Sequence, residues 1–405
     1  MRRRRMATVV LGGALLAVTL TAYASARSPI SSPKAASSAP INILMLADLS
    51  GPTKVSGQLE ATAMRAAVDY YNAHGGVDGH RFHLTVTDYG GNAATAQSLA
   101  IKALSGGGAS NYTMVVPGTE GGAIAALTPY IARTNVLAEV EDDGTGVCGK
   151  ASSCPHEFSL WGSPSIASGA DAIWFKKHGY KKVGILEEAT AFTQSEVTAL
   201  QSDLKRDGIS YVTASYPFTA TDVTPEMSQL QSAGVGAVYA TAIVPAPGYV
   251  LDARAKLGWT VPIVFDGTAS AVDLTTVVTS ATDLSHTSIT APPCMLPSIP
   301  HKGMTVMDAY SPSLATTDFP CHNYGGAWDS IVLLADAVKQ AKSLNYGALT
   351  NAMEHLSPAA QKDPLFTVFR GARFTVADHD NLAGQPSSFS IIPPGPIHGG
   401  QLKTG

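Results

Sequence analysis

No apolar stretch in this sequence reaches the roughly 20 residues that a membrane-spanning helix needs. The longest runs from Ala7 to Leu20; Arg2–Arg5 precede it and Ala22-Tyr23-Ala24-Ser25-Ala26 follows it, the make-up of a cleaved export signal. Residues 1–26 are therefore expected to be a signal peptide cut near Ala26, and the product to be secreted or periplasmic without a membrane span. The sequence has no cysteine before Cys148, which argues against an N-terminal lipid anchor. Met6-Ala7-Thr8 fits a twin-arginine signal poorly, and the export route stays open. Positive charge is scarce as well. With Arg2–Arg5 set aside, 23 basic side chains face 31 acidic ones, a net charge of −8, which argues against a nucleic-acid partner.

Catalytic constellations are missing too. The sequence contains no Gly-x-Ser-x-Gly elbow and no His-Glu-x-x-His helix, and its eleven histidines are scattered without metal-ligand spacing, so neither a metal nor a cofactor is expected. Gly144–Ala151 nearly spells a phosphate loop, but Ala151 stands where a magnesium-binding hydroxyl belongs and Ser152-Ser153-Cys154-Pro155 follows instead of a helix. Ser202-Asp203-Leu204-Lys205 and Lys403-Thr404-Gly405 match two elements of penicillin-interacting enzymes, without the Ser-Asp-Asn element that should join them. The expectation is a protein that is not an enzyme, with an exported hydrolase as the rival class.

Four cysteines in an exported chain favour disulfides. Three pairings exist; joining Cys148 to Cys154 and Cys294 to Cys321 is the local one, and the others stay open.

Residues 27–40 are small, polar and proline-bearing, a disordered leader. The remainder, about 365 residues, is enough for two cores. Its first part predicts a strand over 42–47, a helix with Ala63, Ala66, Ala67 and Tyr70 on one face, and a strand over 83–87. A helix over 94–104, a strand over 114–116, a helix over 122–133 and a strand over 135–140 follow. After a break at 144–155 the rhythm restarts, with helices over 166–177, 194–207, 227–233 and 249–257 and strands over 182–186, 209–215, 237–242 and 263–265. A strand over 286–291, a helix over 328–339 and closing strands over 371–375 and 389–392 complete it. Such alternation predicts an α/β fold of two doubly wound parallel-sheet lobes.

In a doubly wound sheet, ligands gather at the carboxyl ends of the strands. That rule selects Thr119, Glu120 and Gly121, where a helix start offers free amides. It also selects Glu141 and Asp142, Phe192 and Thr193, Val244, and Asp266 and Thr268. Tyr324 is a further candidate from the segment before the 328–339 helix. Acidic groups at Glu120, Glu141 and Asp142 would favour an amine or polyhydroxyl ligand over an anion. Two bland alternatives stand beside these: Glu139–Asp143 as a solvated acidic loop, and Phe192 as core filling.

Three stretches resemble the type I periplasmic binding proteins of the leucine/isoleucine/valine-binding group. They are Asp48-Leu49-Ser50-Gly51-Pro52, Tyr71-Asn72-Ala73-His74-Gly75-Gly76-Val77-Asp78-Gly79 and Gly179-Tyr180-Lys181-Lys182-Val183-Gly184-Ile185-Leu186. Thr221-Asp222-Val223, Gln231-Ser232-Ala233-Gly234 and Ala237-Val238-Tyr239 extend the likeness over nearly all of 41–392. The resemblance implies a three-strand hinge at 160–165, 286–291 and 360–365. Lobe 1 would then comprise 41–159 with 291–360, and lobe 2 would comprise 160–290 with 361–405. It implies a monomer that closes on a small polar ligand (an amino acid, amide or amine) and hands it to an ABC-type permease, or else senses it through a membrane partner. In that family a hydroxyl and amides near Gly121 and Asp142 hold the ligand carboxylate, an acid near Thr268 holds its ammonium, and an aromatic often stands where Ser56 does. This chain departs at Gly121, where a glycine replaces the hydroxyl residue, near Asp142, where an acidic side chain stands, and at Ser56.

Overall fold

Seven consecutive residues, all apolar but Asn42, form β1 (Ile41–Ala47), nearly all of it buried. A strand covered on both faces belongs inside a parallel sheet. β1 pairs in parallel with β2 (Phe82–Asp88) on one side and β3 (Met114–Val116) on the other; β4 (Leu137–Val140) and β5 (Glu157–Ser159) complete the order β2-β1-β3-β4-β5. Ile43 and Met45 face one core, and Leu44, Leu46, Val115 and Ala138 face another under the connecting helices. The first core is covered by α1 (Lys54–Ala73), the second by α2 (Ala93–Leu104) and α3 (Gly121–Ile131). The computed structural model describes residues 39–403 apart from 119–120, 141–146, 162–164, 244, 268, 270–271 and 279–283.

The start of α1 is set by Asp48, whose carboxylate accepts from the Gly51 and Thr53 amides at 2.6 and 2.8 Å and from the Thr53 hydroxyl at 2.7 Å. Burial alone would raise its pKa, but these hydrogen bonds outweigh that and hold it below the usual carboxylate range. A carboxylate at this end also suits the helix dipole. The helix passes so close that a Cβ at Gly57 would stand 2.1 Å from the Asp48 carbonyl oxygen. Asn92 caps α2 through the Thr95 amide at 3.0 Å.

The second sheet has the order β11-β10-β9-β8-β6-β7. Its strands are β6 (Lys182–Ala189), β7 (Ser210–Pro217), β8 (Ala237–Ala240), β9 (Ile263–Phe265), β10 (Thr287–Ala291) and β11 (Ser390–Ile392), the last antiparallel to β10. Helices α4 (Ser165–Lys177) and α5 (Ala191–Arg206) cover one face, and α6 (Thr224–Ser232) and α7 (Ala246–Lys256) the other. After β10 the chain returns to the first sheet, where α8 (Lys302–Tyr310) and α9 (His322–Ala341) pack on α1, and α10 (Tyr346–Glu354) on α9 and β4.

The third crossing falls later than 360–365. Asp329 on α9 accepts from the Thr367 and Val368 amides at 2.6 and 3.0 Å, and Asp380 bridges to Ser159 of β5, so the chain stays on the first sheet as far as Leu382. Val368 and Phe369 already pack beside Ala167 and Ala170 of α4, and contact with that helix continues at Gly384 and Pro386. The stretch 371–375, expected as a closing strand, is irregular because Asn381 and Leu382 take up the backbone of Arg373: the Asn381 side chain accepts its amide and the Leu382 amide donates to its carbonyl. The chain end also departs from lobe 2. The hairpin of β12 (Ile397–His398) and β13 (Gln401–Leu402) docks on α9, with the Cys321 amide donating to Gly400 at 2.9 Å. Disulfides join Cys148 to Cys154 and Cys294 to Cys321.

Candidate functional site

The carboxyl ends of the second sheet's strands carry acids. Glu187 and Glu188 close β6, and Asp266 follows β9. Glu188 is buried; its carboxylate accepts the Ile243 amide at 2.5 Å, and its own amide donates to the Thr241 hydroxyl at 2.9 Å. Burial pushes its pKa up to about 7, helped by the charge of Asp266 and opposed by the Ile243 amide. Tyr216 on the neighbouring strand donates to the Thr241 carbonyl at 2.8 Å and braces the same edge. Beneath Asp266, Asp171 of α4 accepts the Thr290 hydroxyl at 2.5 Å, and burial drives its pKa well above the ordinary value.

The residues selected from the sequence have varied fates. Thr119, Glu120, Glu141, Asp142, Val244 and Thr268 lie outside the described residues. Gly121 opens α3, and Ser56 sits half-buried in the first turn of α1. Asp266 is fully buried and accepts the Ala269 amide at 3.1 Å, which anchors the loop after β9.

Phe192 and Thr193 are not in a loop, because α5 begins three residues earlier than the apolar period indicates. Thr190 caps it: its hydroxyl accepts the Thr193 amide at 3.2 Å and the Thr193 hydroxyl accepts the Thr190 amide in return. The Thr193 side chain, fully buried, thus caps the helix. The side chain of Phe192 lies outside the described residues. Tyr324 is also fully buried, inside α9 rather than ahead of it, with its hydroxyl packed where a Cβ at Gly400 would stand. Neither side chain reaches a cleft in this structure. Glu139 is not a solvated loop acid either: it lies in β4, wholly buried, and accepts the Ser330 hydroxyl of α9. Among the described residues the one grouping with metal-ligand geometry is Cys148, Cys154 and Glu157, whose two sulfurs are bonded to each other and so are not thiolate ligands.

Two residues that sequence reasoning passed over mark where the sheets meet. Trp161 lies two residues past β5 of the first sheet, and its Cζ2 lies 3.6 Å from the point where a Cβ at Gly267, just past β9 of the second, would stand. The His322 ring stands 5.8 Å from the Trp161 ring, with Phe369 and Phe389 edge-on at 5.4 and 5.8 Å. The strand ends of the two sheets therefore approach each other across Trp161. The chain passes between the sheets beside it, after β5, after β10 and again before β11.

Two parallel sheets with facing carboxyl ends and three crossings are the layout of a two-lobed receptor. The model of the periplasmic binding protein family matches residues 40–387. The chain belongs to that family. As a periplasmic binding protein it is a solute-binding receptor of extracytoplasmic location, and no helix among the described residues is long and apolar enough to cross a membrane. Solved structures share the fold. A type 1 periplasmic binding protein from Bordetella pertussis superimposes with a TM-score of 0.73 at 18% identity, covering 87% of this chain and 96% of that one. A branched-chain amino acid ABC transporter protein from Thermus thermophilus with bound valine gives 0.70 at 15% identity, covering 88% and 96%. A leucine-binding protein from Thermotoga maritima gives 0.69 at 13% identity, covering 87% and 97%. No curated protein matches the sequence.

Proposed function

We propose that this periplasmic binding protein captures one small polar ligand per chain between the two sheets and delivers it to an ABC-type permease. The observation that carries the reading is the approach of the β5 and β9 carboxyl ends across Trp161, because a solute held there touches both sheets and couples to their relative motion. Lobe 1 then comprises residues 41–159, 292–382 and the 397–402 hairpin; lobe 2 comprises 165–291 and 386–392.

The ligand is an amino acid, amide or amine-type compound rather than an inorganic anion. Glu187, Glu188 and Asp266 at the strand ends of the second sheet support a cationic or hydrogen-bond-donating group. Glu120, Gly121, Glu141 and Asp142 are the remaining proposed contacts, together with Thr119, Val244, Thr268 and Ser56. Chemistry on the ligand is not part of the proposal: capture and release require only differential affinity for the closed state.

A thermal-shift screen of amino acids, polyamines, amides and sugars tests the reading. At least one compound is expected to raise the melting temperature, by mass action on the folded state. Silence across the screen, together with no co-purified small molecule in native mass spectrometry, would contradict it.

A further inference from the structure

His322 is held in place from several sides. Its neighbour Cys321 is bonded to Cys294 just past the second crossing, and the Cys321 amide is tied to the C-terminal hairpin at Gly400. α9 begins at His322 itself. The residue is half-buried overall, yet both ring nitrogens are buried and hydrogen-bond to nothing in the protein. Buried polar atoms in folded proteins nearly always have a partner, and here the flanking ring is Trp161, itself half-buried at the meeting point of the two sheets.

We propose that Trp161 and His322 form a recognition subsite for a planar ring carrying a hydroxyl, the indole stacking on the ring and the imidazole exchanging a hydrogen bond with the hydroxyl. The inference rests on the receptor reading above and narrows its ligand class. An indole face favours a flat partner over a flexible chain. Burial pushes the His322 pKa down to about 4, so near neutrality the ring has one N–H to donate and one lone pair to accept with. A hydroxyl can meet either, whereas an aliphatic side chain would leave both nitrogens unpaired. A carboxylate in its place would face the acids of the second sheet without a cationic imidazole to offset them.

Calorimetric titration of the full-length mature chain tests this with matched probes: tyramine against phenethylamine, tyrosine against phenylalanine, and phenol against benzene. At least one hydroxyl-bearing probe is expected to bind, tenfold or more tighter than its partner lacking the hydroxyl. In His322→Phe that ratio should fall to within threefold of one, and Trp161→Leu should weaken both members of the pair. Because the readout is a ratio on one variant, a general loss of folded protein cancels. Should His322→Phe not fold, wild-type protein labelled with 15N-histidine gives the same answer: one imidazole should shift with the hydroxyl-bearing probe and not with its partner. Failure of every hydroxyl-bearing probe to bind, or a ratio unchanged in His322→Phe, overturns the inference. Valine, spermidine and glucose run in the same series keep the two readings separate, since binding of any of them beside silent hydroxyl-bearing probes leaves the receptor standing and removes only the subsite.

Discussion

Removing the two disulfides one at a time should destabilise the protein unequally, in an order set by loop length. Cys294–Cys321 closes a loop with a sequence separation of 27 and Cys148–Cys154 one of 6. If a crosslink acts by limiting the unfolded chain, the larger loop is worth about 3.5 kcal/mol and the smaller about 2.2 kcal/mol. All four sulfurs are fully buried, so replacement by alanine adds a similar packing loss to each pair. The difference of about 1.3 kcal/mol is therefore the sharper quantity. Native geometry around the larger loop should survive, because the Cys321 amide still donates to Gly400 and the Gln401 side chain to the Cys294 carbonyl at 3.0 Å. Urea unfolding of Cys294→Ala/Cys321→Ala and Cys148→Ala/Cys154→Ala, followed by far-ultraviolet circular dichroism, measures both. Equal losses, or the larger loss in the 148–154 variant, would refute an unfolded-chain origin.

Asp329→Ala strips two amides and the Thr367 hydroxyl of a buried acceptor, and should cost about 3–5 kcal/mol in the same assay; a loss below about 1 kcal/mol would show that Asp329 does not pin 367–368. Stability should fall as pH rises from about 6.5, above the range where the buried His322 gains stability with pH, to 8. Burial raises Glu188 to about 7 and Asp329 to about 8, so the folded chain holds protons that the unfolded chain has already released, each group contributing at most about 1.4 kcal/mol per pH unit. Glu188→Gln keeps an acceptor for the Ile243 amide and should flatten the slope near pH 7; an unchanged slope would contradict the assignment. Glu120→Ala and Asp142→Ala should each weaken ligand binding by roughly tenfold without lowering the melting temperature, and unchanged affinity in both would move the site elsewhere.

The alternation of apolar runs with helical periods placed both sheets, since strands such as Ile41–Ala47 and Lys182–Ala189 carry their burial in their composition. Short elements were harder. β5 has three residues, one of them a glutamate, and is a strand only because β4 lies beside it to pair with. The nine-residue α8 buries only Gly303, Met304 and Met307, and Gly303 packs against the Leu365 carbonyl, so its helical period is carried by few residues. The start of α5 was hidden because Thr190-Ala191-Phe192-Thr193 has the polarity of a loop, although Thr190 and Thr193 cap each other. The site was the least legible part. Trp161 and His322 are 161 positions apart, and only the packing of two sheets brings their rings together. No local pattern records that meeting. The acids after β6 and β9 were partly visible, because a residue following a strand can be named before the sheet is seen.

The claim beneath all of this is that two separately built sheets move toward each other around a bound solute. Small-angle X-ray scattering on the mature protein, with and without a compound that raises its melting temperature, measures that motion. The account predicts a smaller radius of gyration when the compound is present; an unchanged radius at saturating compound would contradict it.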